Sequence, residues 1–158
     1  MNDAHFHLAV NHLPIIVPGV AAIIMLGSFF FESEHVKRTA YFVFMLGAIS
    51  TFVAFSSGEG AEEIMEHAGA DHNLIHEHEE AAEIFALFSH AIGLISLFGL
   101  WASYKHKKFS NLVAIGTLLI AGGLFWYGNI TATSGGVISH PEIRSDYKAP
   151  ENHEDHQE

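Results

Sequence analysis

The chain has 158 residues with a formal net charge of -11, 13 histidines and no cysteine, and its apolar residues come in long blocks. The length suits one domain, and the charge excludes the basic surfaces through which proteins bind nucleic acid. Without cysteine the chain can form no disulfide, zinc-thiolate site, iron–sulfur cluster or covalent haem link, so a metal would need histidine, carboxylate, methionine or backbone oxygen ligands.

The first apolar block, residues 12–31, is long enough to cross a membrane, since about 20 apolar residues span the hydrocarbon core. Pro14 and Pro18 fall in its opening turns, where a missing N–H costs least. Residues 1–11 contain no lysine or arginine, which is not the pattern of a signal peptide. We therefore predict a first transmembrane helix with a polar, histidine-bearing lead.

A short polar turn, residues 32–38, precedes the second predicted span, residues 39–57. The segment after this span, residues 58–83, is acidic and rich in histidine, and Asp71 in it is predicted to be a helix N-cap. We expect the helix that starts there to continue unbroken into the third span, residues 84–104, and to project from the membrane.

A tight basic connection leads to the fourth predicted span, residues 112–133. The Thr-Ser-Gly-Gly sequence at 133–136 is expected to break this helix, and residues 141–158 to form a disordered acidic tail. No internal repeat is apparent. The predicted fold class is all-α: a four-helix transmembrane bundle within residues 1–140, with an extended third helix projecting from the outer face.

The distribution of basic residues predicts the orientation in the membrane. Four spans place both chain ends and residues 58–83 on one face, and the two short turns on the other. Those turns carry five of the seven basic residues, which the positive-inside rule makes cytoplasmic: Lys37, Arg38, Lys105, Lys107 and Lys108. We expect a protein of the bacterial inner membrane with both termini on the periplasmic side.

Histidines near the outer border are the candidate ligands. His7 and His12 are five residues apart, so on a helix they point roughly 140° apart and lie about 7.5 Å apart along the axis, which suits two neighbouring centres. Depth along the helices pairs His7 with His78 and leaves either His90 or His140 as the partner of His12. The alternatives are a solvated His7, a capping role for His12 and an interhelical hydrogen bond from His90.

A second histidine pattern lies in the acidic segment. His72 and His76 are spaced i, i+4 and can chelate one metal on a helix face, with a neighbouring glutamate adding oxygen. The alternative is that this acid-rich face is simply solvated. The repeated Glu-x-x-His of di-iron bundles is not found, which argues against a ferritin-like centre.

The opening HLAVNHLPI, the acidic link beginning GEGAEE and the sequence GGVISHPEIR after the last span resemble an uncharacterised family of small bacterial four-helix membrane proteins, labelled DUF2231. The family's opening reads H-x4-H-x-P-I, and its usual proline after the first histidine is replaced here by Leu8. The resemblance implies a redox role with haem, and it implies as haem ligands His7, His12, His78 and His140, with His90 as an extra.

These observations lead to three hypotheses. The first is a b-type membrane cytochrome that binds two haem b groups through paired histidines and carries electrons rather than catalysing a reaction. Its partners would be the lipid membrane and a redox partner such as a cytochrome c or quinone, within a homo- or hetero-oligomer. The second is a divalent-metal or copper binding and transport protein, and the third is a cofactor-free structural subunit of a respiratory complex.

Overall fold

The computed structural model describes residues 2–145 and 147. This part of the chain forms six α-helices and one 3-10 turn: α1 (Asp3–Val10), α2 (Leu13–Phe30), α3 (Glu34–Ser56), α4 (Gly58–His67), α5 (His72–Tyr104), α6 (Ser110–Ser139) and the turn Pro141–Ile143. Four helical stretches are long and apolar enough to cross a membrane, namely Asp3–Phe30, Glu34–His67, His72–Tyr104 and Ser110–Ser139. The predicted all-α fold with four spanning helices is confirmed.

Local signals explain where the helices begin. Pro14 stands in the first turn of α2, as predicted, and Asp71 caps α5 by accepting a hydrogen bond from the backbone N–H of Asn73 at 2.9 Å. From this cap α5 runs without interruption to Tyr104. Its projection beyond the membrane stays a prediction.

The bundle consists of two helical hairpins, α2–α3 and α5–α6, that pack through α3 and α5. Small residues allow the close approach. Pro18 lies so near Gly47 that a Cβ there would come within 2.7 Å of the proline ring, and Gly93 is as close to Ala48. Thr51 and Ser89 share a buried hydrogen bond of 2.7 Å across the α3–α5 contact. Small and polar residues at helix contacts are typical of membrane bundles.

The outward-facing surface of the bundle is apolar. Its exposed side chains include Ile23, Phe30, Leu87 and Leu119, each at least 70% accessible. A surface of this kind is covered by lipid in a membrane protein rather than by water. The four long helices and this surface are together compatible with an integral membrane protein.

Both hairpins turn in the same way. Glu32 and His106 adopt left-handed backbone conformations, with φ of 47° and 48°. The residue after each donates its backbone N–H to the last turn of the preceding helix, Ser33 to Ser28 and Lys107 to Ala102. These two turns lie at one end of the bundle, here called the basic end. The opposite end, which carries His7 and His78, is called the histidine end.

The first turn is shorter than predicted, because α3 begins at Glu34 and not after Arg38. Lys37 is only 3% exposed, and its ammonium donates to the Glu34 carboxylate and to the Asn111 side chain at 2.5 Å each. The Arg38 guanidinium donates to the Ser103 hydroxyl at 2.8 Å. These two residues therefore join α3 to α5 and α6 at the basic end instead of lying in an open turn.

The expected break in the fourth helix is also wrong. Helix α6 continues through Gly135 and Gly136 to Ser139. The reason is a tertiary contact: a Cβ on Gly135 would lie 3.0 Å from Cε1 of the His78 ring. The glycine therefore makes room for a histidine from α5 rather than ending the helix.

The two halves of the chain present corresponding positions at the histidine end. Two grooves at the histidine end, one in each half, are lined by residues that correspond at fixed sequence offsets. The offset is 71 residues from α1 to α5 and 77 residues from the α3–α4 segment to α6. All seven residues that line the second-half groove have such an equivalent: Leu74 with Asp3, Glu77 with Phe6, Asn129 with Phe52, Ile130 with Val53, Thr133 with Ser56, Ser134 with Ser57 and Val137 with Gly60. The sequence shows no repeat because six of these seven pairs differ in residue type.

Candidate functional site

His7 is held by the end of the neighbouring helix α3. Its Nδ1 lies 3.1 Å from the Ala54 carbonyl oxygen and 2.9 Å from the Ser57 hydroxyl oxygen. The Ser57 hydroxyl in turn donates to the same carbonyl at 2.7 Å. The half-buried imidazole of His7 is thus fixed at one nitrogen by two groups from one helical turn.

His78 has the same arrangement in the second hairpin. Its Nδ1 lies 3.0 Å from the Thr131 carbonyl oxygen and 3.0 Å from the Ser134 hydroxyl oxygen. The Ser134 hydroxyl donates to the Thr131 carbonyl, also at 3.0 Å. The two histidines are 71 residues apart and the two serines are 77 apart, the same offsets that relate the grooves. We call each set of histidine, carbonyl and serine a histidine clasp.

The clasp determines the tautomer of the imidazole. A carbonyl oxygen can only accept a hydrogen bond, and the serine hydrogen is already committed to that carbonyl. Nδ1 of each histidine must therefore carry the proton, which leaves the lone pair on Nε2. An imidazole in this state is a metal ligand through Nε2, and the bond at Nδ1 fixes its orientation.

Burial keeps both clasped histidines neutral. They lie before Leu13 and Ile84, where the apolar spans begin. Burial lowers the pKa of His7 below 6.5, against a smaller opposing effect of the Ala54 carbonyl. Burial lowers the pKa of His78 in the same way, and the charge that His7 carries when protonated lowers it further. The two clasped imidazoles therefore come one from each hairpin, both at the histidine end.

The other predicted ligands lie apart from this pair. His12 stands at the N-terminus of α2 and is exposed, without a side-chain capping bond. His90 also faces outward, while its neighbours Ser89 and Gly93 make the contact with α3. The interhelical contact at this level is therefore made by these two neighbours.

His140 follows the last turn of α6 and is exposed. Its Nδ1 lies 2.9 Å from the Glu142 carboxylate. Within the described residues the lead to His140 is helical up to Ser139, so the flexible, glycine-broken lead expected from the sequence is not present. The tail predicted for residues 141–158 lies largely outside the described residues, which end at 145 apart from 147.

The acidic segment brings three potential metal ligands together, but not the predicted pair. His72 lies 2.6 Å from the Glu66 carboxylate, and with Glu62 these residues place ligand atoms within 4.8 Å of one another. His76 pairs instead with Glu80 at 3.4 Å. The Glu66 carboxylate raises the pKa of the His72 imidazole. The group is mostly exposed.

Ser57 and Ser134 are functional candidates that sequence reasoning missed. A signal for both was present: each half of the chain contains a His-x-His pair, at 5–7 and 76–78, and later a Ser-Gly pair, at 57–58 and 134–135. The spacing from the second histidine to the serine differs by six residues between the halves, which obscures the repeat in a linear reading.

Comparisons with known proteins add no assignment: no family model, curated protein or solved structure matches the chain. The resemblance to the DUF2231 family therefore stays a prediction from the sequence. The functional assignment of the chain rests on the geometry of the two histidine clasps.

Proposed function

We propose that the protein is a b-type membrane cytochrome that holds a haem between His7 and His78 at the histidine end of the bundle. The observation that carries the proposal is the pair of clasps, which present two neutral imidazoles with free Nε2 atoms from different hairpins. This donor set fits the axial positions of haem, which bundles bind between facing helices. The sequence has no cysteine, so the haem would be non-covalent.

Each part of the clasp would have a role in that function. A haem held by two imidazoles would supply one-electron redox chemistry. His7 and His78 would supply the ligands, and the two carbonyls and serines would hold the rings in place. The protein would then be an electron carrier between a membrane partner, such as quinone, and an outer-side partner, such as a cytochrome c.

The same proposal includes the orientation. The exposed lysines at 105, 107 and 108 favour a cytoplasmic basic end, and the acidic segment favours a periplasmic histidine end. The N-terminal part of α5, from Asp71 to Ile84, would then extend beyond the lipid on the outer face and carry His78 above the membrane border.

The contacts support one haem more directly than the two predicted from the sequence. A second haem would require His12 to pair with His90 or His140. All three side chains are exposed, and the structure pairs His140 with Glu142. Haem-to-protein stoichiometry decides between one and two, and a ratio of two in the unmutated protein would restore the second centre.

Optical spectra of single variants test the proposal. The purified protein should show a Soret band and sharp low-spin bands on reduction, and acid-acetone should extract the haem. His7→Ala and His78→Ala should each abolish the bis-histidine spectrum. His5→Ala and His76→Ala are matched controls, since each removes the exposed histidine of the same His-x-His pair. A colourless protein from haem-replete cells, or loss of haem in the controls alone, would overturn the assignment.

A specific observation keeps the metal-binding alternative open. Glu62, Glu66 and His72 form a ligand cluster on the outer segment, as a divalent-metal binding protein would require. If the purified protein is colourless and binds zinc or copper, and Glu66→Gln abolishes that binding, the metal function replaces the cytochrome. Neither haem nor metal binding would favour the structural-subunit hypothesis.

A further inference from the structure

We infer that Ser57 and Ser134 are positioning residues that fix the tautomer and the ring orientation of His7 and His78. The tautomer inference stands on the geometry alone. Its consequence for haem rests on the proposed function. Two separate experiments therefore test the tautomer and the haem binding.

The hydrogen-bond directions support the inference. Each serine hydroxyl oxygen lies within hydrogen-bond distance of a carbonyl oxygen, 2.7 Å for Ser57 and 3.0 Å for Ser134, and a carbonyl can only accept. A hydroxyl that donates to this carbonyl meets the imidazole as an acceptor. With hydrogen on Nδ1, the imidazole donates to the carbonyl and the hydroxyl, whereas hydrogen on Nε2 would set the Nδ1 lone pair against the carbonyl oxygen.

The comparison of the two halves provides independent support. Of the seven equivalent residue pairs that line the two grooves, six differ in identity, and Ser57 with Ser134 is the pair that is the same. The two histidines that these serines contact are also identical. The clasp is therefore the part of the two hairpins in which the residue types are the same, while the residues around it differ.

The chain also offers a control for the backbone bond that these serines make. Serine hydroxyls at Ser28 and Ser50 donate in the same way to the carbonyl three residues earlier, at 2.7 Å each. Such bonds are a common local feature of helices, so they alone do not define a site. Ser50→Ala removes one of them on the same helix that ends beside Ser57, without touching a histidine.

The first experiment uses the protein without haem. Nitrogen-15 spectra of the histidine-labelled chain should show His7 and His78 with hydrogen on Nδ1. Ser57→Ala should weaken that preference at His7 only, and Ser134→Ala at His78 only. Ser57→Thr and Ser134→Thr keep a hydroxyl and should retain it, as should Ser50→Ala. Hydrogen on Nε2 of either histidine in the unmutated protein overturns the inference, and this outcome needs no variant to fold.

The second experiment measures haem release. Removing a group that hydrogen-bonds and orients a metal ligand typically lowers metal affinity about 10–100-fold. Each serine-to-alanine variant should therefore release haem to apomyoglobin roughly tenfold faster than the parent, while Ser50→Ala should match the parent. Unchanged tautomers in both alanine variants would refute the positioning role even if haem binds. Absence of haem with the predicted tautomers would refute only the cytochrome.

Discussion

Four histidines of this chain differ in the partner of Nδ1. His72 and His140 lie beside carboxylates, and the Glu66 carboxylate raises the pKa of the His72 imidazole. His7 and His78 lie beside a carbonyl and a hydroxyl in half-buried positions, which favour the neutral imidazole. Because only a neutral imidazole can donate a lone pair to iron, His7 and His78 are the candidate haem ligands.

The lowered pKa values of His7 and His78 predict a pH dependence. Both imidazoles are neutral when folded, and the unfolded chain takes up protons near the ordinary pKa of 6.5. The haem-free protein should therefore lose stability as the pH falls through 6.5, because protonation favours the unfolded state. Haem should likewise stay bound at pH 6.5 and be lost at lower pH. Thermal unfolding and Soret absorbance against pH measure the two effects.

The double variant His7→Phe with His78→Phe provides the control for that experiment. Phenylalanine keeps the aromatic ring but does not titrate, so the loss of stability below pH 6.5 should become smaller. An unchanged pH profile in this variant would mean that other groups, such as the exposed histidines, cause the effect.

Gly135 lies where α6 packs against the His78 ring of α5. A Cβ there would lie 3.0 Å from the His78 ring, so Gly135→Ala should displace the ring by a few tenths of an ångström and speed haem loss. Gly136→Ala and Gly58→Ala are controls. The first would meet only the flexible end of Ile143 at 3.7 Å, and the second would meet open space. Haem-release rates that rise equally in all three variants would contradict this role.

At the scale of single elements, the turns determine how each hairpin closes. Glu32 and His106 have positive φ, a conformation that costs residues with a Cβ about 1 kcal/mol or more. Neither is glycine, although glycine is the usual residue at this position after a helix. The chain therefore keeps some backbone strain at both turns of the basic end.

That strain predicts opposite effects of glycine substitutions and of glycine removal. Glu32→Gly and His106→Gly should each raise the free energy of unfolding by about 1 kcal/mol, because the strain is relieved. Gly69→Ala should lower it by a similar amount, since φ is 90° there and the Cβ would meet no neighbour. Thermal unfolding in detergent measures all three. A gain in stability for Gly69→Ala would show that backbone conformation does not control these positions.

Much of this secondary structure could be predicted from the sequence. The exceptions share one cause, which is contact with residues that are distant in the sequence. The lengths of the apolar blocks predict the four spans, and Asp71 and Pro14 predict two helix starts, because these signals are local. The glycines at 135 and 136 resemble a helix break in the sequence, but their role is a contact with His78, 57 residues earlier than the first of them. Lys37 resembles a turn residue, but its partner Asn111 is in another hairpin.

The candidate site was predictable in part. Depth along the helices predicts that His7 and His78 lie at a similar level, because the rise per residue is fixed, and their pairing stays a prediction. Ser57 and Ser134 could not be found in that way. Their contacts with the histidines depend on how neighbouring helices are rotated about their own axes. A linear sequence does not contain those angles until the packing of the hairpins is known.

At the scale of the whole molecule, the distribution of exposed charge predicts the topology. Lys37 and Arg38 are engaged in packing, so Lys105, Lys107 and Lys108 remain as the exposed cluster at the basic end. A cytoplasm-active reporter should therefore work after Lys108 and fail at the C-terminus. Changing the three lysines to glutamine should weaken this preference.

Lys37→Gln provides the matched control for the topology experiment. It removes a positive charge from the same end of the bundle, but the charge is buried between Glu34 and Asn111. The expected result is lower stability with unchanged topology. A cytoplasmic C-terminus in the unmutated protein would contradict the orientation and the periplasmic localisation together.

The equivalence of the two hairpins has a consequence for the origin of the protein. A single hairpin with one clasp holds one imidazole, which is half of a bis-histidine site. Two identical hairpins paired around a two-fold axis would already complete such a site with one histidine from each copy. A chain that carries both hairpins would keep one histidine from each, whatever residues surround them. The two grooves differ in charge: one carries Asp3, Glu59 and Glu63, whereas the other carries Glu77 alone among acidic residues.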